Sequence, residues 1–146
     1  MIIFLDTSTL IKLYHREDGT AELELWFSTV KITKIFLSEI SKIEFTAAIW
    51  KKVRTKEITE SEAQITLNLF ESDFGKYTFI ATDSIILEQA RILTSKYGTQ
   101  ELRTLDSIQL STSVSLFQQA DIFFTADKLL KSFFEAEGLP TEMPGR

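Results

Sequence analysis

Met1-Ile2-Ile3-Phe4-Leu5-Asp6-Thr7-Ser8 opens the chain, and the reading of this stretch decides the fold. Ile2–Leu5 is a short, continuous apolar run that stops on a carboxylate, the pattern of a strand buried inside a sheet. Three further short runs read the same way: Ile35-Phe36-Leu37, Tyr77–Ala81 and Ile122-Phe123-Phe124. Between them lie helical patterns over roughly residues 7–15, 20–30, 41–55, 60–72, 83–97, 104–119 and 127–136. Strands alternating with helices predict a parallel sheet covered on both faces. The expected fold class is therefore α/β: a three-layer sandwich around a short, mainly parallel sheet. Leu139 to Met143 adds a candidate edge strand.

Local signals mark several helix starts. Thr59 with Glu62, and Ser41 with Glu44, both fit a capping box, in which a hydroxyl and a carboxylate three residues on satisfy each other's backbone amides. Thr104 is a candidate N-cap for the helix that contains Asp106. No repeat, low-complexity segment or Pro/Gly-rich linker divides the 146 residues, and both prolines, Pro140 and Pro144, lie near the end, so a single domain over 1–146 is expected.

Composition narrows the function classes. Apolar residues make up 44% and charged residues 25%, as in ordinary globular domains. There is no cysteine, which removes disulfides, thiolate metal sites and a cysteine nucleophile, and fits a reducing, cytoplasmic setting. The N-terminal run reaches Asp6 at once, too soon for a secretory leader. No stretch approaches the ~20 apolar residues of a membrane span, so no membrane partner is expected. A net charge of −5 argues against coating nucleic acid through phosphates alone. It leaves open an enzyme that meets phosphates through a carboxylate-bound cation, since the ion reverses the local charge.

In open parallel sheets, ligands sit beyond the carboxyl ends of the strands. Asp6 ends the first strand. Asp127 lies just beyond Ile122–Phe124. Asp106 falls in a predicted first helical turn, and Glu44 lies beside the apolar positions Ile40, Ile43, Ala47 and Ala48. Each has an ordinary explanation: Asp6 and Asp127 as N-caps, Asp106 as compensation of the helix dipole, Glu44 as half of a capping box. Asp121 precedes the same strand that Asp127 follows, and so belongs at the opposite edge. Taken together, the four carboxylates collect where a ligand should sit. An all-carboxylate set without Cys or His suits Mg²⁺ or Mn²⁺ better than zinc. Such ions activate water and stabilise the leaving oxygen in phosphodiester cleavage.

The same residues resemble the signature of PIN-domain nucleases, in particular the VapC-type toxins of toxin–antitoxin pairs. Ile3-Phe4-Leu5-Asp6-Thr7-Ser8-Thr9-Leu10-Ile11-Lys12-Leu13-Tyr14 resembles the family's first strand and acidic motif, and Ser41-Lys42-Ile43-Glu44-Phe45 its second. Leu102-Arg103-Thr104-Leu105-Asp106-Ser107-Ile108-Gln109-Leu110-Ser111 resembles the third, and Phe123-Phe124-Thr125-Ala126-Asp127-Lys128 the fourth. The resemblance spans nearly the whole chain. It implies Mg²⁺- or Mn²⁺-dependent endonuclease activity on RNA, a VapB-like antitoxin and a homodimer. Asp6, Glu44, Asp106 and Asp127 carry over as metal-site carboxylates, and Ser8 and Thr125 as polar supports. Many members place alanines after the third aspartate, where this chain has Ser107, Ser111, Thr112 and Ser113, which raises the polarity of that helix.

Other features read as structural. His15, the only histidine, is expected at the surface. Lys51-Lys52-Val53-Arg54-Thr55-Lys56 reads as a solvated helix end, with a phosphate-contacting patch as the alternative. Trp26, Trp50 and most phenylalanines read as core or interface. Two rival functions stand beside the nuclease. An aspartyl-phosphate phosphatase would use Asp6 as nucleophile, but such enzymes need a second acid where this chain has Ser8. A non-catalytic interaction module would use the carboxylates only as caps.

Overall fold

The computed structural model describes residues 1–145. Five strands form one sheet in the order β3-β2-β1-β4-β5, with every neighbouring pair parallel. The strands are β1 (Ile2–Leu5), β2 (Lys34–Ser38), β3 (Thr78–Ile80), β4 (Ile122–Phe124) and β5 (Thr141–Glu142). Seven α-helices connect them: α1 (Thr7–Lys12), α2 (Thr20–Thr29), α3 (Ser41–Arg54), α4 (Glu60–Ser72), α5 (Ser84–Lys96), α6 (Thr104–Ser115) and α7 (Lys128–Ala136). The expected α/β sandwich is the observed one.

The two-residue period of a strand sends successive side chains to opposite faces. Ile3 and Leu5 enter a core with Leu10 of α1, Leu23 of α2, Phe45 and Ile49 of α3 and Phe70 of α4. Phe4 enters the other core, with Leu93 and Tyr97 of α5 and its junction, Leu110 of α6, and Leu130, Phe133 and Phe134 of α7. Phe123 and Phe124 divide between the two cores in the same way. β1 is thus buried on both sides, which is why it reads as an unbroken apolar run.

The strand order reverses beside β1. The chain steps outward from β1 to β2 and β3, then returns to lay β4 and β5 on β1's other side. The crevice between the carboxyl ends of β1 and β4 is therefore the switch point where open α/β sheets bind ligands.

Several local expectations hold. Thr59 and Glu62 form the complete capping box that starts α4. The amide of Ile2 donates to Asp121 at 2.8 Å, which places Asp121 at the amino edge of the sheet, away from the switch point. Others change. The first helix stops at Lys12, because the buried hydroxyl of Thr20 donates to the Lys12 carbonyl at 3.0 Å and the Lys12 ammonium folds onto Glu17 and the Asp18 carbonyl. The last strand shrinks to Thr141–Glu142, hydrogen-bonded along β4. Among the described residues, no helix is long and apolar enough to cross a membrane.

Candidate active site

Asp6 leaves the end of β1 and caps α1, its Oδ1 accepting the Thr9 amide at 2.9 Å. The cap is only part of its environment. Ser8 Oγ donates across both carboxylate oxygens at 2.8 Å, and Thr125 Oγ1, arriving from β4, donates to Oδ2 at 2.6 Å. Asp6 is 2% exposed. Burial pushes its carboxyl up to about 6, although the donors from Thr125, Thr9 and Ser8 pull the other way. A plain helix cap facing water has no such conflict; here burial opposes the ionisation that the holding donors favour.

Thr125 and Ser8 join the two sides of the crevice. Thr125 Oγ1 also accepts the Asp127 amide at 3.1 Å, and Ser8 Oγ accepts the Ala126 amide at 2.9 Å. The loop after β4 is therefore tied to the loop after β1. Asp127 caps α7 through Oδ1, which accepts the Leu130 amide at 3.0 Å, and this leaves Oδ2 outside the cap. Arg103 reaches that Oδ2 with Nη2 at 3.3 Å, and its Nε reaches Asp106 Oδ2 at 3.2 Å.

Glu44 enters from α3. Its Oε1 accepts from Thr7 Oγ1 at 2.7 Å and from Gln109 Nε2 at 2.8 Å. Gln109 lies three residues beyond Asp106, one turn along the same face of α6. Its Nε2 also faces Thr7 Oγ1 and Ser41 Oγ, each at 3.1 Å, while its buried Oε1 has no partner. Ionised Glu44 can only accept, so it dictates which end of the amide faces it. Burial raises the Glu44 carboxyl, and the neighbouring Asp106 raises it further. Burial and then Asp127 raise Asp106, against the pull of Arg103. The carboxylates therefore repel one another along the chain Glu44–Asp106–Asp127. Among the described residues, no three of them converge as a ready-made cation cage. The two observations agree, because repulsion acts over many ångströms whereas Mg²⁺ coordination requires oxygens at ~2.0–2.1 Å.

A cavity of about 390 Å³ adjoins Ser8 and Ala126, and its lining also carries Lys12, Lys51 and Lys52 together with Glu17 and Glu57.

The model of the PIN domain matches residues 3–133. This chain belongs to the PIN-domain family. PIN domains are nucleases generally, so the chain is assigned to a hydrolase family. The fold is shared with chains of several solved complexes. These include VapBC2 from Rickettsia felis bound to a promoter DNA fragment (16% identity, TM-score 0.67, 98% of each chain covered). FitAcB from Neisseria gonorrhoeae (16% identity, TM-score 0.67, 95% of each chain) and DNA-bound VapBC from Salmonella typhimurium (15% identity, TM-score 0.61, 98% of each chain) are similarly close. At these identities the likeness is one of fold. No curated protein matches the chain by sequence.

In this PIN domain the four carboxylates read from the sequence all reach the switch-point end of the sheet, and Ser8 and Thr125 are the groups that hold Asp6. Two capping assignments fail. Helix α3 has Ile40, not Ser41, at its N-cap and no side-chain cap. Ser41 is instead fully buried against Thr7 and Gln109, so Glu44 is free of the structural role that a capping box would give it. Helix α6 has Arg103 at its N-cap, again without a side-chain cap, and Thr104 is its first residue.

Thr7, Gln109 and Arg103 were not singled out by sequence reasoning. Each sits inside a quoted motif, but nothing local says that its side chain turns toward the carboxylates. The extra polarity of α6 is absorbed by backbone carbonyls: Ser111 donates to Ile86, Thr112 to Ile108 and Ser113 to Gln109. The basic run is only partly solvated, because Lys52 pairs with Glu17 at 3.1 Å and Glu57 at 3.4 Å. His15 is half-buried rather than at the open surface, with Nδ1 3.8 Å from Glu17.

Proposed function

We propose that this PIN domain, spanning the whole chain, is a Mg²⁺- or Mn²⁺-dependent endoribonuclease and the toxin of a type II toxin–antitoxin pair. The carrying observation is Asp6: a buried carboxylate held by Ser8, Thr9 and Thr125 at the switch point, with Glu44, Asp106 and Asp127 around it. The donor set fits a hard divalent ion. It is all oxygen, and its carboxylates are held up by burial and by mutual repulsion that a cation would relieve. Asp6, Asp106, Glu44 and Asp127 would hold the ion, which supplies an acidified water and neutralises charge developing on the phosphate.

The protein's own groups do the positioning. Thr125 and Ser8 fix both oxygens of Asp6. Thr7 and Gln109 fix Glu44 so that its second oxygen is left over. The cavity that Ser8 lines also carries exposed Lys51, which can meet a backbone phosphate and supports a polyanionic substrate, while Lys52 there is paired with Glu17 and Glu57. An RNA chain fits the resemblance of the four motifs to VapC toxins. The VapBC and FitAB complexes that share the fold support a VapB-like antitoxin as partner. Exposed Ile43, Ile85 and Leu105 support a homodimer or an antitoxin seat.

The test is cleavage of RNA by the purified chain with Mg²⁺ or Mn²⁺, beside Asp6→Asn. Equal cleavage by both would refute the role of Asp6. One observation favours the rival, non-catalytic module: Asp6 and Asp127 are genuine N-caps. That module predicts an unchanged melting curve at millimolar Mn²⁺, whereas an ion bound to the folded state raises it by mass action.

A further inference from the structure

Among the described residues, Arg103 is the only cationic side chain paired with any of the four carboxylates. It bridges two elements, touching Asp106 in the first turn of α6 and Asp127 in the loop after β4. Both contacts fall on Oδ2 atoms. The Oδ1 atom of Asp127 is committed to capping α7, so Oδ2 is the oxygen that this residue has to offer a ligand. The anions are partly buried, with side chains 21% and 30% exposed, while the arginine is 69% exposed.

These facts set an exposed cation on the rim against two partly buried anions. A guanidinium presents a planar fork of donors, and so can serve two carboxylates at once, where an ammonium is a single point charge. The pairs are too exposed to act as a strong staple between α6 and α7, because exposed ion pairs contribute little to stability. Without Arg103, however, Asp106 and Asp127 would face each other with no compensating charge.

We propose that Arg103 is a built-in counter-cation, which holds the Oδ2 atoms of Asp106 and Asp127 in the ion-free protein and must swing out before a divalent ion can take those oxygens. The inference rests on the reading that these carboxylates bind the ion. It makes ion affinity a balance between two cations, one of them part of the chain. Arg103 thereby offsets part of the repulsion between Asp106 and Asp127 in the ion-free protein, and it weakens the ion's apparent affinity.

The test is calorimetric titration of MnCl₂ into the EDTA-stripped full chain, with melting curves in parallel. Arg103→Met keeps the aliphatic stem and removes the charge. It is expected to lower the Mn²⁺ dissociation constant by about three- to tenfold, the size of one or two exposed ion pairs. The ion-free melting temperature should change little, and the rise that Mn²⁺ produces should be larger. Arg103→Lys, with one point charge, should fall between Met and wild type. The control is Lys128→Met, which removes a neighbouring exposed charge outside the bridge and should leave the dissociation constant unchanged. An Arg103→Met constant equal to or weaker than wild type overturns the proposal, as does an equal gain in Lys128→Met, which would signal only a general field. Absence of Mn²⁺ binding in both wild type and Arg103→Met would overturn the metal-dependent reading as well. Firm wild-type binding with no change in Arg103→Met would overturn this inference alone.

Discussion

Asp6 gives the sharpest prediction, because its burial and its charge oppose each other. Its carboxyl is pushed from an ordinary 3.8 to about 6 in the folded, ion-free protein. At 1.36 kcal/mol per pH unit, that gap makes the ionised group cost the fold about 3 kcal/mol at pH 7. The sign follows from the direction of the shift. The contribution of Asp6 to stability is fully present below pH 3.8, falls away as pH rises toward 6, and is gone above it. The ion-free protein should therefore be more stable at pH 5 than at pH 7.5 as far as Asp6 is concerned. Glu44 and Asp106 are raised as well and add to the trend, so Asp6 has to be isolated by difference. Asp6→Asn keeps the shape and an acceptor for the Thr9 amide while removing the charge. Urea unfolding in EDTA, at half-unit steps from pH 4 to pH 8, measures both proteins. The expected difference curve shows wild type losing about 2.4 kcal/mol relative to Asp6→Asn across this window, the remainder of the gap lying below pH 4, a melting-temperature divergence on the order of 10 °C. Parallel curves for the two proteins would refute the reasoning, since they would mean that Asp6 ionises in the fold as easily as in the unfolded chain.

Thr125→Val removes the hydroxyl that donates to Asp6 Oδ2 at 2.6 Å and keeps the volume. It should cost about 1–3 kcal/mol at pH 7.5 by urea titration, and less at pH 5, where Asp6 carries less charge. Gln109→Leu fills the same space but takes the Nε2 donor from Glu44. Ribonuclease activity is expected to fall at least about tenfold, with circular dichroism unchanged, because positioning is lost rather than the fold. Phe134→Ala empties the fully buried core between α7 and β1. A loss of about 3–5 kcal/mol in unfolding free energy is expected, with no selective effect on cleavage once the protein is folded.

Much of the frame was legible in the sequence because the signals are local. Ile2–Leu5 announces a strand buried on both faces, Thr59 and Glu62 announce the start of α4, and Asp6 and Asp127 carry the cap chemistry that the structure realises. Strand–helix alternation predicts the parallel sheet, and with it the edge where the carboxylates meet. The same local logic failed at Ser41. A serine three residues before a glutamate fits a capping box, yet Ser41 is drawn inward by Thr7 and Gln109, which offer a buried hydroxyl better partners than the helix end does. It also missed where α1 stops, since the Thr20 hydroxyl that ends it comes from the next helix.

What the sequence by itself determined is the set of elements and the types of residue at their ends, because propensity, periodicity and capping act over a few residues. The tertiary structure decided which of those residues touch. Gln109 is 102 residues from Thr7 and 65 from Glu44, and Thr125 is 119 from Asp6. Packing of α6 and β4 against β1 brings them within hydrogen-bond reach. The burial of Asp6, and the placement of Arg103 between Asp106 and Asp127, arise only there, because burial and long-range pairing are properties of the assembled fold.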